Sequence, residues 1–465
     1  MKAVSILSMR IKRGSPHIWV ESIATRRAGF EPGVRFSVEM HGSGVLLRVD
    51  DDGDRLVSRK IRGASIMPVI DINSQSDLAP LSGHESARVV FGDRRIFISP
   101  LASELRRRRR LVRLQEHLAD GYLETSSIAT GGGILSHALH AGFQDAGLYA
   151  ESRMCNEIRS DLAEHAMVHN DAFGDQTIMA NQPLQELAFD EEVVRRLPEV
   201  DIVDLGLPCS GASQAGRSKN KIALPEHHSA VGHLIAPAIA LLAKLNPVAC
   251  VMENVTAYAD SASAAILRGY LGDMGYKVHE RELVGSEWGE LEARRRWYLV
   301  AVTKGIPFDF DKLQPGEYPE RQLSDVMEQI PLDDSSWSAM QYLKDKESRD
   351  IAAGKGFRMQ IYDGSERSIA TLTKGIAKRR STDPFFRHPQ DPNLLRLPTI
   401  REHSRLKGVP EHLVSGLCQT TGHELLGQSI VYRPVREIAR LIGEALLAFR
   451  QSSIVPSGQK FACAA

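Results

Sequence analysis

Short runs of alternating apolar and polar residues dominate the first 105 residues of the chain. This period of two predicts β-strands that are joined by turns. The predicted strands cover residues 17–21, 35–40, 44–49, 66–72, 87–91 and 95–98. Residues 1–105 are therefore expected to form a small β-rich domain of their own.

The apolar spacing changes to three and four residues beyond residue 103. Leu105, Leu111, Leu114 and Leu118 follow this spacing, which predicts a linker helix over residues 106–124. The helix opens on five consecutive arginines, 106–110. These arginines either meet phosphates or form a solvated face.

Strand and helix patterns alternate over residues 125–304, which predicts an α/β domain with a parallel sheet and helices on both faces. A short strand is predicted at 126–129, and glycines 131–133 form a turn into a helix. Glycines there allow a ligand to approach the backbone closely. Further strands are predicted at 147–150, 176–180, 200–205, 248–252 and 297–303.

Cys209 directly follows the strand at 200–205. A thiol at the carboxyl end of a strand is a candidate nucleophile, and the alternative is a buried structural cysteine. The next strand ends at Glu253, so parallel neighbours would bring thiol and carboxylate to one rim for covalent catalysis with proton delivery. Arg294 and Arg296 precede a later strand, where they could lower the pKa of the thiol, bind a phosphate or lie at the surface.

An acidic residue, Glu151, stands about 20 positions after the glycine turn. It ends the strand predicted at 147–150, where a carboxylate suits the two hydroxyls of a ribose. The alternative is an ordinary helix-capping carboxylate.

Composition narrows the classes of protein without selecting one. Hydrophobic residues are 42% and charged residues 25%, and Lys+Arg and Asp+Glu are both 58, so net charge gives no argument for a nucleic-acid partner. The five cysteines include no CxxC pair, so neither a metal site nor a disulfide framework is expected. No apolar run reaches about 18 residues and no signal-peptide core is present, so we expect a cytoplasmic protein with no membrane partner.

Five sequence motifs, taken together and in this order, resemble the DNA cytosine-5 methyltransferases. They are LPCSGAS (207–213), ENV (253–255), EARRRWYLVA (292–301), RLPTIREHSRLKGVP (396–410) and GQSIVYRPV (427–435). The resemblance covers about residues 126–448. It implies a Rossmann-like, doubly wound methyltransferase sheet, a target-recognition region at 305–395 and a return to the catalytic domain at 396–450. The tail, 451–465, is expected to be flexible.

The resemblance also implies methyl transfer from S-adenosylmethionine to carbon 5 of a cytosine that is flipped out of duplex DNA. Cys209 would attack carbon 6, Glu253 would hold N3 and the exocyclic amine, and Arg294 and Arg296 would support the cysteine loop and the base. The residues that it implies for the cofactor are Thr130, Gly132, Gly133, Glu151, Asn181, Gln428 and Ser429.

The chain departs from the family pattern at several positions. The usual Asp-Leu-Phe-Ala-Gly-x-Gly-Gly turn reads SSIATGGG at 126–133, so the Asp, the Phe and the first Gly are lost. Ser210 stands for the usual Gln after Pro-Cys, and Glu292 stands for the usual Gln before the two arginines. Thiol, carboxylate and both arginines are retained, so we expect an active enzyme.

A basic stretch in the region 305–395 is the predicted DNA contact, and the alternative is a basic surface loop. Its cations surround Phe385 and Phe386 and would meet phosphates. The predicted DNA-binding residues are Lys374, Lys378, Arg379, Arg380 and Arg387.

The expected partners are duplex DNA and, for a restriction–modification enzyme rather than a solitary one, a cognate restriction endonuclease. Two other functions stay open: an RNA cytosine-5 methyltransferase of the same architecture, and a DNA-binding regulator with a decayed methyltransferase body. The run IWVESIATRRAGFEPGVRFSVEM (18–40) weakly resembles SymE-like and AbrB-like swapped-hairpin domains. That resemblance implies a nucleic-acid-binding or dimerising module, and the alternative is a scaffold domain.

Overall fold

The computed structural model describes residues 1–63 and 65–454. The chain divides into two compact units, of which the first is Met1–Arg109 and the second begins at Arg110.

Antiparallel strands build the first unit. Its strands are β1 (Ala3–Ser8), β2 (Arg10–Lys12), β3 (Ser15–Glu21), β4 (Arg35–His41), β5 (Gly44–Val49), β6 (Arg55–Leu56), β7 (Ser58–Arg62), β8 (Ser65–Asn73), β9 (Ser86–Phe91) and β10 (Arg95–Pro100), with a short helix α1 (Ile23–Arg27) after β3. They form a six-stranded sheet in the order β1-β9-β10-β5-β4-β6 and a four-stranded sheet in the order β2-β3-β8-β7.

All six strands predicted in the first unit are present, and four further strands were not predicted. Two of the four, β2 and β7, are exposed along their whole length, so they carry no apolar alternation that a sequence pattern could reveal. The interior of the unit includes Ile18, Phe36 and Leu47, which are fully or almost fully buried.

The linker helix α2 (Ala102–Ala119) begins and ends earlier than predicted. Residues 122–124 already belong to the first strand of the second unit. Arg110 neither meets phosphate nor faces solvent, because its buried guanidinium stacks on the Tyr276 ring at 4.0 Å and donates to Met274 O at 2.5 Å. On the same helix, Arg113 Nε and His117 Nδ1 contact Asp201 at 3.2 and 2.6 Å. These contacts hold residues 110–117 of the helix within the second unit.

A seven-stranded sheet forms the centre of the second unit. Its strands are β11 (Tyr122–Ile128), β12 (Tyr149–Asn156), β13 (Ile178–Ala180), β14 (Ile202–Leu205), β15 (Ala249–Asn254), β16 (Tyr276–Val284) and β17 (Arg295–Thr303). The order is β13-β12-β11-β14-β15-β17-β16. β17 pairs antiparallel with both of its neighbours, so it alone runs against the other six strands of this sheet. The predicted parallel sheet is therefore confirmed for its first five strands and wrong for β17.

Helices connect these strands, as the alternating pattern predicted. They are α3 (Ile134–Asp145), α4 (Ser160–His169), α5 (Leu184–Phe189), α6 (Glu191–Arg196), α7 (Gln214–Asn220), α8 (Ile235–Leu245) and α9 (Ala262–Asp273). Two separate apolar clusters, one including Val251 and Val300 and the other Cys250 and Leu299, contain alternating residues of β15 and β17. This alternation is the pattern of a sheet that is covered on both faces.

The strand predicted at 147–150 is longer than the sequence suggested, because β12 runs to Asn156. Charged residues often mark the end of a strand, yet Glu151 and Arg153 both lie within β12. Cross-strand pairing explains this, since Arg153 Nη2 lies 2.8 Å from Glu124 Oε1 on β11. The prediction that the strand ends at Glu151 is wrong.

The region 305–395 contains regular secondary structure. It contains α10 (Gln341–Ala352), β18 (Gln360–Tyr362) and β19 (Pro384–Arg387), and β20 (Leu395–Arg396) completes a three-stranded sheet. The chain then returns through α11 (Ile400–Leu406), α12 (Gln419–Gln428) and α13 (Tyr432–Ile454).

The last helix packs closely against α3. A Cβ atom at Gly142 would lie 2.0 Å from Arg436 O, so this contact requires glycine. The first four residues of the predicted flexible tail belong to α13, and residues 455–465 lie outside the described residues. None of the helices in the described ranges is long and apolar enough to cross a bilayer.

Candidate active site

Cys209 lies where the predicted nucleophile should lie, just beyond the carboxyl end of β14. Four buried residues form β14, and Gly206, Leu207 and Pro208 lead to a single 3-10 turn that begins at Cys209. The thiol is half-buried, unlike the fully buried Cys250. The structure therefore favours the reactive alternative over the structural one.

Glu253 is brought beside the cysteine loop by the parallel pairing of β14 and β15. Its Oε1 lies 3.0 Å from Arg296 Nε, and both side chains are largely buried. The following residue, Asn254, donates from Nδ2 to Leu207 O at 3.0 Å. The side chain of Asn254 thus ties the strand of the carboxylate to the loop of the thiol, a role that the sequence interpretation missed.

Arg294 and Arg296 line the cavity described below, and Arg295, which stands between them, does not. Arg295 is exposed, whereas Arg294 is buried and donates from Nη2 to Gly427 O at 3.2 Å. Burial and the neighbouring Arg296 lower the pKa of Arg294. Arg294 thus joins the start of β17 to the end of α12.

A buried ion pair supports this region from behind. Lys407 Nζ lies 3.0 Å from Glu292 Oε2, and both side chains are fully buried. Glu292 Oε1 accepts from Leu372 N at 2.8 Å, and Lys407 donates to Ser429 O at 3.2 Å. Burial and the nearby Arg294 lower the pKa of Lys407 to about 7. The pair connects the region 305–395 to the end of α12, and the sequence interpretation did not assign Lys407.

The glycine turn holds a strained backbone before α3. Ala129 has φ +56°, which is unusual for a residue with a side chain. Thr130 N donates to Asn156 O at 2.8 Å, and Gly131 N, at φ +61°, donates to Glu157 Oε2 at 2.7 Å. The turn is therefore fixed to the carboxyl end of β12.

A buried carboxylate lies beneath this turn, on the neighbouring strand. Asp204 Oδ1 accepts from Ser127 Oγ at 2.6 Å, and its Oδ2 accepts from Ser136 Oγ at 2.9 Å. Burial raises the pKa of Asp204 to about 7. Asp204 thus joins β11, β14 and the first turn of α3 in the segment where the family's usual Asp is replaced by Ser126.

One cavity of about 410 Å³ joins the glycine turn to the cysteine loop. All four predicted catalytic residues line it, and so do four of the predicted cofactor residues. These eight residues are Cys209, Glu253, Arg294, Arg296, Thr130, Gly132, Gln428 and Ser429.

Three predicted cofactor residues do not line this cavity. Glu151 pairs with Glu124 near the start of β12 and accepts from Tyr122 Oη at 2.9 Å, so its assignment to the ribose is wrong. Gly133 faces Phe173. Asn181 is exposed, and its Nδ2 donates to Glu157 O at 2.7 Å.

Glu157 takes the position that Glu151 was expected to have. It follows the last residue of β12, is buried and lines the cavity. Its two oxygens accept from Gly131 N and Arg159 N at 2.7 and 2.9 Å, which leaves further lone pairs for a ligand. The available signal was the apolar run Met154–Cys155, which extends the strand toward Glu157.

The five predicted DNA-binding cations are all exposed, and none forms an ion pair with another described side chain. Phe385 and Phe386, by contrast, are fully buried in the core and offer no stacking surface. The backbone of Lys374 packs against Gly427, where a Cβ atom would lie 2.3 Å from Lys374 N. The basic segment therefore begins beside Gln428 and the cavity.

The seven-stranded sheet with one reversed strand has the fold of the S-adenosylmethionine-dependent methyltransferases. The sequence matches the profile of the C-5 cytosine-specific DNA methylases over residues 136–444, and the chain belongs to that family.

Curated relatives and solved structures agree with this assignment. The type II methyltransferase M.MspI of Moraxella is 26% identical over 270 residues, 55% of this chain and 59% of its own length. M.NlaX of Neisseria lactamica is 26% identical over 290 residues, 60% of this chain and 88% of its own length. The fold is similar to the S. pombe Dnmt2 methyltransferase, with TM-score 0.52 and 18% identity over 70% of this chain and 99% of that chain.

Proposed function

We propose that this chain transfers a methyl group from S-adenosylmethionine to carbon 5 of a cytosine in duplex DNA through a covalent adduct with Cys209. The observation that carries the proposal is the single cavity in which the glycine turn faces Cys209, Glu253, Arg294 and Arg296. Family membership supports the reaction, and the chemistry of these side chains supports their roles.

Carbon 5 of cytosine is a weak nucleophile, so the reaction needs a covalent step. The Cys209 thiolate adds to carbon 6, which moves an electron pair onto carbon 5. Bound S-adenosylmethionine supplies an electrophilic methyl carbon to that pair. Loss of the proton from carbon 5 to solvent then expels the sulfur and restores the ring.

Glu253 acts on the polar edge of the same base. Its carboxyl group shares the cavity with Cys209, so it can meet N3 and the exocyclic amine while the thiol meets carbon 6. Hydrogen bonding to N3 stabilises the enamine that forms when the thiolate adds to carbon 6, and carbon 5 of that enamine is the nucleophile. The contact with Arg296 holds the Glu253 side chain in place.

The cavity residues also fit the cofactor chemically. Glu157 offers carboxylate oxygens for the ribose hydroxyls, as expected of an acidic residue after the second strand of such a sheet. The apolar side chains of Ile158 and Leu184 line the same cavity and suit the adenine ring. Thr130 and Ser429 also line it, and we assign them to the methionine part of the cofactor.

DNA contact is assigned to the exposed cations between Lys374 and Arg387. A target base must leave the helix to reach Cys209, at an unstacking cost of a few kcal/mol. Phosphate contacts by this basic segment would hold the duplex beside the cavity and help to offset that cost.

The test is transfer of labelled methyl from S-adenosylmethionine to duplex DNA, with C209S as the matched inactive variant. Wild-type protein should label DNA containing cytosine and leave tRNA unlabelled, and C209S should label neither. Labelling of tRNA alone would assign an RNA substrate. Cofactor binding without transfer to either substrate would favour the regulator with a decayed methyltransferase body.

A finer assignment, the type of DNA modification, extends this proposal. The relatives carry type II names, so we infer sequence-specific modification that protects DNA from a cognate endonuclease. The nucleic-acid-binding or dimerising role of residues 1–105 and the cytoplasmic location stay predictions.

A further inference from the structure

Two histidines and one aspartate from three separate segments converge outside the cavity. His137 lies in the first turn of α3, Asp171 follows α4, and His412 lies in a 3-10 helix at Glu411–Val414. Their nearest ligand atoms all lie within 4.8 Å of one another. Within the described ranges, they are the one group of three or more such side chains with this spacing.

We propose that His137, Asp171 and His412 form a binding site for a divalent transition metal, and that Zn²⁺ is its ligand. Two imidazoles and one carboxylate are donors that zinc accepts, and a water would complete a tetrahedral shell. The site lies apart from the residues that bind cofactor and base in the proposed function.

The distances suit such a shell. His137 Nε2 lies 2.9 Å from Asp171 Oδ1, and His412 Nε2 lies 3.5 Å from the same oxygen. Zinc bonds of about 2.0–2.1 Å in a tetrahedron separate two ligand atoms by about 3.4 Å. The three ligand atoms lie within 4.8 Å of one another, so no pair must close by more than about 1.4 Å to reach that geometry, and the exposed ring of His412 can make this adjustment.

A second polar group orients the least exposed ligand. His137 Nδ1 lies 2.5 Å from the hydroxyl of Tyr432. If Nδ1 carries the proton and donates it to Tyr432 Oη, the lone pair of Nε2 points toward Asp171, where a cation is then needed. Such a partner on the far ring nitrogen is typical of metal-binding histidines. Because a hydroxyl both donates and accepts, Tyr432 also serves the metal-free tautomer.

The exposure of the three side chains describes an accessible surface site. His137 is 12% exposed, His412 is 53% exposed and Asp171 is 77% exposed, so ions can enter from solvent. The expectation that the chain holds no metal rested on the absence of a CxxC pair. That absence has no bearing on a site made of histidine and aspartate.

The test is isothermal titration of chelator-treated, full-length protein with Zn²⁺, with Mg²⁺ as the comparison cation. We expect one Zn²⁺ per chain and no comparable heat with Mg²⁺. H412A and D171A should each lower the Zn²⁺ affinity at least about ten-fold. Both replaced side chains are exposed, so these variants keep their packing, and H41N removes an exposed imidazole from the first unit as a matched control.

Two further variants separate this site from adventitious binding. Y432F keeps the ring and removes the hydroxyl, so it should weaken Zn²⁺ binding by about 10- to 100-fold. C209S/C418S removes the two thiols that are not buried in the described chain and should leave binding unchanged. Absence of saturable Zn²⁺ binding, equal affinity in wild type and H412A, or loss of binding in C209S/C418S would each overturn the proposal. The methyl-transfer activity is not the readout, so failure here leaves the proposed function intact.

Discussion

Lys407 Nζ and Glu292 Oε2 lie 3.0 Å apart inside the protein, where both side chains are fully buried. A family glutamine is replaced by Glu292, so this chain holds a carboxylate at a position that is usually neutral. Lys407 supplies the opposite charge, and Arg294 stands 3.9 Å from the other Glu292 oxygen.

The pair predicts a non-additive double-mutant cycle. E292Q leaves Lys407 and Arg294 without this carboxylate partner and should lower the free energy of unfolding by about 3–5 kcal/mol. K407Q should lower the free energy of unfolding by less than E292Q does, because Glu292 keeps Arg294 as a partner. E292Q/K407Q removes both charges of the pair together and should lie within about 1–2 kcal/mol of wild type. Urea unfolding measures all four proteins, and additive losses would contradict the coupling.

Glu157 and Glu151 form a matched pair for testing the cofactor site. E157Q removes the charge that faces the cavity and should weaken S-adenosylmethionine binding by about 10- to 100-fold, the effect of losing a charge-assisted hydrogen bond. Glu151 lies outside the cavity, so E151Q should leave the dissociation constant for S-adenosylmethionine within about two-fold of wild type. Equilibrium binding of the cofactor decides this, and equal effects of the two substitutions would refute the placement.

Asp204 predicts a pH dependence of stability. Its folded pKa is raised to about 7 from an ordinary value of 3.8, so the folded state binds more protons between these values. The stabilisation is therefore complete below the ordinary pKa and is lost as pH rises through about 7. Wild type should lose free energy of unfolding from pH 5 to pH 8 relative to D204N, whose side chain does not ionise. If the free energies of unfolding of the two proteins change with pH in parallel, the pKa of Asp204 is not raised in the folded state.

The exposed cations predict salt-dependent DNA binding. K378A/R379A should weaken binding to duplexes of any sequence and reduce the slope of log affinity against log salt by about one for each phosphate that is no longer neutralised. K277A removes an exposed cation on β16 and serves as the matched control. An unchanged slope in K378A/R379A would favour the alternative of a basic surface loop.

The four proposed catalytic residues line one cavity, and the sequence indicated this because each of them stands at a strand end or strand start. Cys209 and Glu253 follow buried runs whose strand character is plain from composition, and parallel pairing then forces them together. Arg294 directly precedes β17, and Arg296 is its second residue.

The residues that were missed depend on information that no local pattern carries. Glu157 depends on where β12 ends, and the internal charges of that strand concealed its length. The contacts of Lys407 with Glu292 and of Asp204 with Ser127 join residues distant in the chain and form only when the sheet and the last helices are assembled. Arg110 shows the same limit, because its arginine run gives no sign that one member stacks on Tyr276.

Covalent trapping by duplex DNA that carries 5-fluorocytosine tests the central claim most directly. Fluorine at carbon 5 cannot leave as a proton does, so the adduct between Cys209 and carbon 6 should persist after methyl transfer. Wild-type protein with S-adenosylmethionine should form a complex that survives denaturing electrophoresis, and C209A should form none. A stable complex with C209A, or methylation by wild type without any trapped complex, would contradict the assignment of Cys209 as the nucleophile.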